Sequence, residues 1–368
     1  MTDKLKYRIA LTLIKGIGPV TARQLVSYLG DEEAIFKEKA SNLQRIPGIG
    51  PATATDIVSA NVMKRAEQEI EFINNGKITP LFFTDPDYPQ RLLGCDDAPV
   101  IIYQKGKNVL NQPKVLSIVG TRRVSEEGKE NCEKLVEGIA KLFGNVVIVS
   151  GMAYGVDICA HREALKHKLP TVGIMAHGLD RIYPPPHRQT AVEMLDEGAL
   201  VSEFISRTEP DKPNFVKRNR IIAGLADAVI VIESGVKGGA LITAKLASSY
   251  NRDVLAYPGS IRNPLTEGCH WLIKRNIAGL IDRAEDIEEH LGWKTLTNNK
   301  AIQTKLFVEL NTPEEQAIYQ TLLKEREIDI NSLCQATKMP ISKVSAILLQ
   351  FEFSGMVKCL PGNNYRMV

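Results

Sequence analysis

Four short clusters of glycine, hydroxyl and cationic residues stand at the ends of apolar, β-branched runs between Val115 and Gly259. They are Gly120-Thr121-Arg122 after VLSIV, Ser150 to Gly155 (SGMAYG) after VVIV, Phe215 to Arg220 (FVKRNR) opening a helix, and Lys237 to Ala244 (KGGALITA) after AVIVIE. Each offers backbone amides, a hydroxyl or a cation, so the shared chemistry is anion binding. In an open α/β sheet, ligands collect beyond the carboxyl ends of the strands, where helix N-termini direct free N–H groups.

Each cluster makes its own expectation. Arg122 follows a strand end, where its guanidinium can grip a phosphate in bidentate fashion while Thr121 and nearby amides donate alongside. Lys212, Phe215, Lys217, Arg218, Asn219 and Arg220 place cations around one aromatic just before a helix that is expected to begin at Val216. A base can stack on such a ring while phosphates pair with the cations. For Arg218, Asn219 and Arg220 a scaffold role at the helix start is the alternative. Lys237, Gly238, Gly239, Ala240 and Thr243 form a second amide-rich cradle with a cation at its lip.

Other constellations point away from catalysis. Asp157 and His161, four apart on an expected helix, read as a helix-start aspartate capping free amides with a histidine stacked one turn on. Glu203 and Glu233 sit at strand ends without a nucleophile or metal to complete a site. GxxxxGK[ST] is missing, as is GxGxxG with its acidic ribose ligand, and the six histidines form no HExxH. No metal and no cofactor are expected.

The elements that must position these loops alternate from Val115 to about Leu291. Strands VLSIVG, VVIVSG, TVGIMA, ALVSE, AVIVIE and DVLAYPG are separated by helices at 126–143, 157–167, 189–197, from Val216, and at 240–250. Such alternation predicts a doubly wound parallel sheet, and runs apolar on both faces predict helical cover on each side. The stretch from Ile78 to Leu110 extends this domain: Pro86, Pro89 and Pro99 forbid a long helix, and VIIYQKG reads as an edge or outer strand.

Residues 1–75 read as short helices around a repeated hairpin, Ile14-Lys15-Gly16-Ile17-Gly18-Pro19 and Ile46-Pro47-Gly48-Ile49-Gly50-Pro51, with Thr21 and Thr53 beside the helix openings. This is the pattern of helix-hairpin-helix units, which hold a phosphate at the following helix start; a protein-interaction domain of the same shape is the alternative. The domain boundaries are thus 1–75 for the helical unit, 76–291 for the sheet domain, 292–311 for a polar linker and 312–368 for a C-terminal unit. The last opens on the capping signature Thr312-Pro313-Glu314-Glu315 and reads as helices at 313–324, 329–336 and 341–354, with strands MVKCL and NNYRMV across Pro361-Gly362. That is a winged-helix layout. Its recognition helix ISKVSAILLQFEFSG carries only Lys343, so a protein contact is expected there rather than major-groove reading.

Composition agrees with a globular chain of 368 residues, 44% of them apolar. A net charge of +3 means that nucleic-acid binding must come from locally clustered cations. Six cysteines without a CxxC read as reduced thiols, and the lack of a long apolar run predicts a cytoplasmic protein.

The order IVGTRR, VSGMAYGVDICAH, YPPPH, SEF, FVKRNRIIAGL, GGALITA and YPGS resembles the DprA (Smf) family of DNA-processing proteins. The FxxRNRxIxxL and GxLITAxxA patterns carry the resemblance most specifically. It implies an extended Rossmann-like domain flanked by helix-hairpin-helix (SAM-like) and winged-helix domains. It further implies a non-enzymatic single-stranded DNA binder of natural transformation that protects incoming strands, loads RecA recombinase and acts as a homodimer. On this sequence the family's Gly-Ser/Thr-Arg motif falls on Gly120, Thr121 and Arg122, and its DNA-pocket lysine and phenylalanine on Lys212 and Phe215. The family usually has Ser-Gly where this chain has Gly238-Gly239, which removes a hydroxyl; Cys269-His270 is a second departure. The alternatives are a nucleotide-binding sensor and a phosphoribohydrolase-like enzyme of nucleotide metabolism. The latter needs a PGGxGTxxE loop, whose glutamate KGGALITA lacks.

Overall fold

The computed structural model describes residues 2–296, 312–325, 327–353, 356–360 and 363–367. Most of the expected linker and the Pro361-Gly362 turn lie outside them. The chain divides into two compact units, Met1–Leu296 and Thr297–Val368.

The first unit opens with α1 (Thr2–Leu13), α2 (Pro19–Leu29), α3 (Glu32–Lys37), α4 (Ala40–Leu43), α5 (Pro51–Val58) and α6 (Met63–Gly76). The two hairpins repeat in backbone detail. Gly16 and Gly48 both adopt φ of 80°, which a side chain would strain. Gly18 and Gly50, not Thr21 and Thr53, are the N-caps of α2 and α5, because Pro19 and Pro51 take the first helical position. Ile14, Ile17, Ile46 and Ile49 turn inward with Leu25, Ile57 and Ile70 into a core that continues onto Phe82, Ile101 and Tyr103 of the sheet. Polar ties reinforce that shared core: Arg8 bridges Glu32 (2.9 Å) and Asp85 (2.8 Å). Buried Glu69 accepts from the amide of Ser206 at 2.9 Å while pairing with Arg65.

There follow β1 (Thr79–Phe82), α7 (Gln90–Leu93), β2 (Ile101–Gly106), β3 (Val115–Val119), α8 (Glu126–Phe143), β4 (Val147–Ser150), α9 (Val156–Lys166), β5 (Thr171–Ile174), α10 (Arg188–Glu193) and β6 (Ala199–Ser202). Then come α11 (Lys212–Leu225), β7 (Ala228–Val231), α12 (Gly239–Ser249), β8 (Asp253–Ala256), α13 (Glu267–Lys274), β9 (Gly279–Leu280) and α14 (Asp286–Leu291). The sheet order is β1-β2-β6-β5-β4-β3-β7-β8-β9, with the β1–β2 and β2–β6 pairs antiparallel and every other pair parallel.

Both faces are covered, as the apolar runs required. Val115, Val119, Val147, Val149, Val229 and Val231 pack with Ile221, Leu225, Leu241 and Ala244 of α11 and α12. Their neighbours Leu116, Ile118, Ile148, Ala228 and Ile230 pack on the other face with Leu135, Ile139 and Ala160 of α8 and α9. The alternation within each strand therefore divides one apolar run between two cores.

Of the two positions expected for VIIYQKG, edge or outer strand, it takes the outer one: β2 lies between β1 and β6, and β1 is the edge. Two expectations are corrected. The helix expected at 189–197 is a 3-10 turn, Pro185–His187, running into α10, because the prolines at 184–186 fix the entry. The helix expected from Val216 begins one turn earlier at Lys212, after Asp211 and with Pro213 in its first turn, where a missing N–H costs nothing.

The second unit comprises α15 (Pro313–Glu325), β10 (Glu327–Asp329), α16 (Ile330–Thr337), α17 (Ile341–Phe353), β11 (Val357–Leu360) and β12 (Asn364–Met367). The Thr312 amide donates to Glu315 at 3.1 Å and the Glu315 amide to Thr312 Oγ1 at 3.2 Å, the reciprocal capping box that the sequence announced. The wing has a third strand, β10, which pairs with β12 and is too short to show a period in sequence.

Candidate nucleic-acid interface

The strand order reverses between β3 and β7. From β3 the chain proceeds through β4 to β6 on one side, and from β7 to β9 on the other. Ligands of open α/β sheets bind at such a switch point, outside the carboxyl ends of the strands. A groove of about 670 Å³ lies there, lined by Gly120, Thr121, Arg122 and Arg123 after β3, by Lys212, Phe215, Arg218 and Asn219 of α11, and by Gly238, Gly239, Ala240 and Thr243 at the start of α12.

The loop after β3 is held by close backbone approaches. The Thr121 amide donates to the Glu233 carbonyl at 2.7 Å, and the Val156 amide to the Thr121 carbonyl at 3.2 Å. Gly155, at φ 78°, sits where a Cβ would fall 2.1 Å from the Thr121 oxygen. The Arg123 amide donates to Thr121 Oγ1 at 3.2 Å. Contrary to the sequence expectation, then, the amides of Thr121 and Arg123 are occupied. What the loop presents is the Thr121 hydroxyl hydrogen and the exposed Arg122 guanidinium.

Phe215 is the centre of the groove. The guanidinium of Arg122 lies 5.2 Å from its ring centroid, that of Arg218 5.9 Å, and the half-exposed Tyr183 ring 6.0 Å. Arg218 is buried, and its Nη1 donates to the carbonyls of Gly151 (2.6 Å) and Ile174. Burial brings it down to about 10, so it remains a cation at neutral pH. Gly151 is needed for this, because a Cβ there would meet Arg218 Nη1 at 2.2 Å. Tyr183 was not foreseen; its signal is the YPPPH run, which places it opposite Phe215.

Helical geometry divides the FVKRNR cluster. With α11 starting at Lys212, residues 212, 215, 219 and 222 share the groove face. Lys217 and Arg220 do not join them. Arg220 forms a short ion pair with Glu203, both side chains under one-tenth exposed, and Lys217 stands 3.7 Å from the same carboxylate, over the Phe204 ring. The structure thus assigns Arg220 the scaffold role, while Lys237 is exposed outside the groove lining. Arg220→Ala should leave the Glu203 carboxylate buried beside Lys217 alone and cost about 3–5 kcal/mol, read as a lower denaturant midpoint.

The α12 cradle is the N-terminus of an 11-residue helix capped by Gly238. Its leading amides, at Gly239 and Ala240, have no partners within the helix. The hydroxyl that the Gly238 departure removes has a counterpart nearby. A Cβ on Gly238 would fall 2.2 Å from Ser234 Oγ, so a serine does not fit beside the one already there. At the second departure, Cys269 is fully buried in the core and the Gly268 amide donates to the Ser234 carbonyl at 2.7 Å.

The carboxylates and histidines beneath the groove are committed to structure. Asp157 accepts from the Ala153 amide at 3.2 Å, one turn before the helix, and Gly155 rather than Asp157 is the cap. Burial raises its pKa, against the pull of Arg218 and Arg122. His161 Nδ1–H donates to Thr171 Oγ1 at 2.7 Å, and burial brings its pKa down to about 3, leaving it neutral. Glu233 accepts from Ser125 N (2.8 Å), Ser125 Oγ (2.7 Å) and Asn263 Nδ2 (3.1 Å), which fixes the start of α8.

Residues 79–292 match the family model described as DNA recombination-mediator protein A. The chain belongs to the DprA family. The flanking matches have the same character: a SAM-like helix-hairpin-helix tandem over residues 9–60 and a DprA winged helix domain over 309–363. Protein Smf of Synechocystis sp. is 31% identical over 98% of this chain and 98% of its own length. DNA processing protein DprA of Streptococcus pneumoniae is 39% identical over 55% of this chain and 71% of its own length. The crystal structure of the pneumococcal DprA superposes with a TM-score of 0.67 at 30% identity, over 77% of this chain and 97% of that one. The Helicobacter pylori DprA structure, described for its single-stranded DNA binding mode, gives 0.53 at 29%, over 58% and 95%. The DprA-type motif residues Gly120, Thr121, Arg122, Lys212 and Phe215, separated by almost a hundred positions in sequence, all line one groove.

Proposed function

We propose that this chain binds single-stranded DNA in the groove between β3 and β7, as a binding protein rather than an enzyme. The observation that carries the reading is Phe215, half-buried between the Arg122 and Arg218 guanidinium groups and facing Tyr183. An aromatic platform flanked by cations and helix-start amides suits an unpaired base with its phosphates; a duplex hides its base faces. The single-stranded DNA binding mode described for the Helicobacter pylori relative supports the same ligand. Membership of the DprA family extends the reading to natural transformation in the cytoplasm, with a homodimer protecting incoming strands and passing them to RecA recombinase. No helix among the described residues is long and apolar enough to cross a membrane.

Arg122 provides the test. Removing one phosphate contact releases one fewer counterion, so Arg122→Ala should weaken binding and reduce the slope of log K against log salt by about 1. An unchanged affinity and slope remove Arg122 from the interface.

A further inference from the structure

The SGMAYG turn after β4 gives Ala153 to the groove wall and carries Tyr154 as the next residue, outside the lining. Hydrogen bonds fix the backbone on both sides of it. The Gly151 carbonyl accepts from Arg218 at 2.6 Å, the Met152 carbonyl accepts from His187 Nδ1–H at 2.8 Å, and the Ala153 amide donates to Asp157 at 3.2 Å. Beyond Tyr154, the Val156 amide donates to the Thr121 carbonyl at 3.2 Å. Met152 holds φ of 58°, a costly value for a residue with a side chain, and buries that side chain fully. Tyr154 is nevertheless 49% exposed, its ring 4.8 Å from that of buried His187 at an interplanar angle of 70°. An aromatic presented on so rigid a turn has little conformational freedom left to lose on binding.

Cations flank this ring in the chain. On one side Gly155 packs against the Thr121 and Arg122 backbone; on the other, His187 is followed by Arg188. Arg122, Arg123 and Arg188 are exposed and pair with no carboxylate among the described residues. Arg122 links two aromatic positions. Its guanidinium lies 5.2 Å from the Phe215 centroid, and its backbone meets the residue that follows Tyr154.

We propose that Tyr154 is a second base platform, on which a further base of the strand held at Phe215 stacks. The proposal rests on the single-strand reading above and deepens it. Arg122 holds a phosphate between the two platforms, and Arg188 meets a phosphate beyond the second. Ring and cation then alternate along the surface as base and phosphate alternate along a single strand. Every base has a π-face, so this platform extends the bound length of strand without selecting a sequence. A duplex, whose bases are already stacked on one another, gains nothing from it.

The test is fluorescence anisotropy with labelled oligo-dT over a series of salt concentrations, for the full chain and its Tyr154→Ala and Tyr154→Phe variants. Stacking releases no counterions. Tyr154→Ala should therefore weaken binding about tenfold, the loss of one stacked base, with the slope of log K against log salt unchanged. Tyr154→Phe keeps the π-face and should retain the affinity to within about twofold. A second readout needs no variant: photocrosslinking of the full chain with 5-iododeoxyuridine strands should label the peptide containing Tyr154 as well as that containing Phe215. Full affinity of Tyr154→Ala, with crosslinks confined to the Phe215 and Tyr183 peptides, overturns the platform and leaves the groove reading intact. A loss accompanied by a slope smaller by about 1 overturns it too, because the residue would then act by positioning Arg122. If the full chain binds no single strand, the groove reading itself fails and the platform falls with it.

Discussion

Phe215→Ala should weaken single-strand binding by about ten- to a hundredfold, the loss expected when a stacked base, at roughly 1–3 kcal/mol, loses its platform. The ring lines the groove between two guanidinium groups instead of filling the core, so the folded state should be little disturbed. Thermal unfolding should then show a midpoint close to that of the unaltered chain. Phe215→Trp, which keeps a π-face and a cation partner, should retain most of the affinity. The pair of measurements separates a platform from a packing residue. If Phe215→Ala lowers Tm by many degrees and binding falls only in proportion, the ring belongs to the core and the strand lies elsewhere.

Gly155→Ala should damage both stability and binding. At φ 78° and ψ −124° the backbone is in a region open to glycine and strained for alanine, by about 1–3 kcal/mol. The added Cβ also meets the Thr121 carbonyl at 2.1 Å and the Arg122 backbone at 2.8 Å. Relief requires the Thr121-Arg122 loop to move away from residue 155, which changes the position of Arg122 relative to Phe215. We expect Tm to fall by several degrees and single-strand affinity to fall at least tenfold, measured below the new midpoint so that unfolding does not contribute. A drop in Tm with full affinity would show that the position of Arg122 relative to Phe215 is immaterial to binding.

Much of this site is legible in the chain itself because its parts are local. Strand ends announced by VLSIV and AVIVIE, glycine-led turns, and an alternation of strand and helix are signals within a few residues of each other, and the helix at 126–143 is found where its pattern placed it. The difficulties come where one turn of helix decides direction. With α11 beginning at Val216, Lys212, Phe215 and the cations after it form one undirected cluster. Beginning at Lys212, the 3.6-residue period sends Lys212, Phe215 and Asn219 to the groove and Lys217 and Arg220 to Glu203. Pro213 is the local clue, since proline is tolerated in a first turn. Tyr183 and the occupied Thr121 amide depend on contacts across 32 and 112 positions, to Phe215 and Glu233, and no local pattern encodes them.

The most direct measurement is fluorescence anisotropy of the purified chain with labelled single-stranded and duplex oligonucleotides of equal length, each at two salt concentrations. The groove built around Phe215 and Arg122 predicts tight binding of the single strand, clear discrimination against duplex, and a marked loss of affinity at higher salt. Equal binding of the two forms, or no binding of the single strand at low salt, would contradict it.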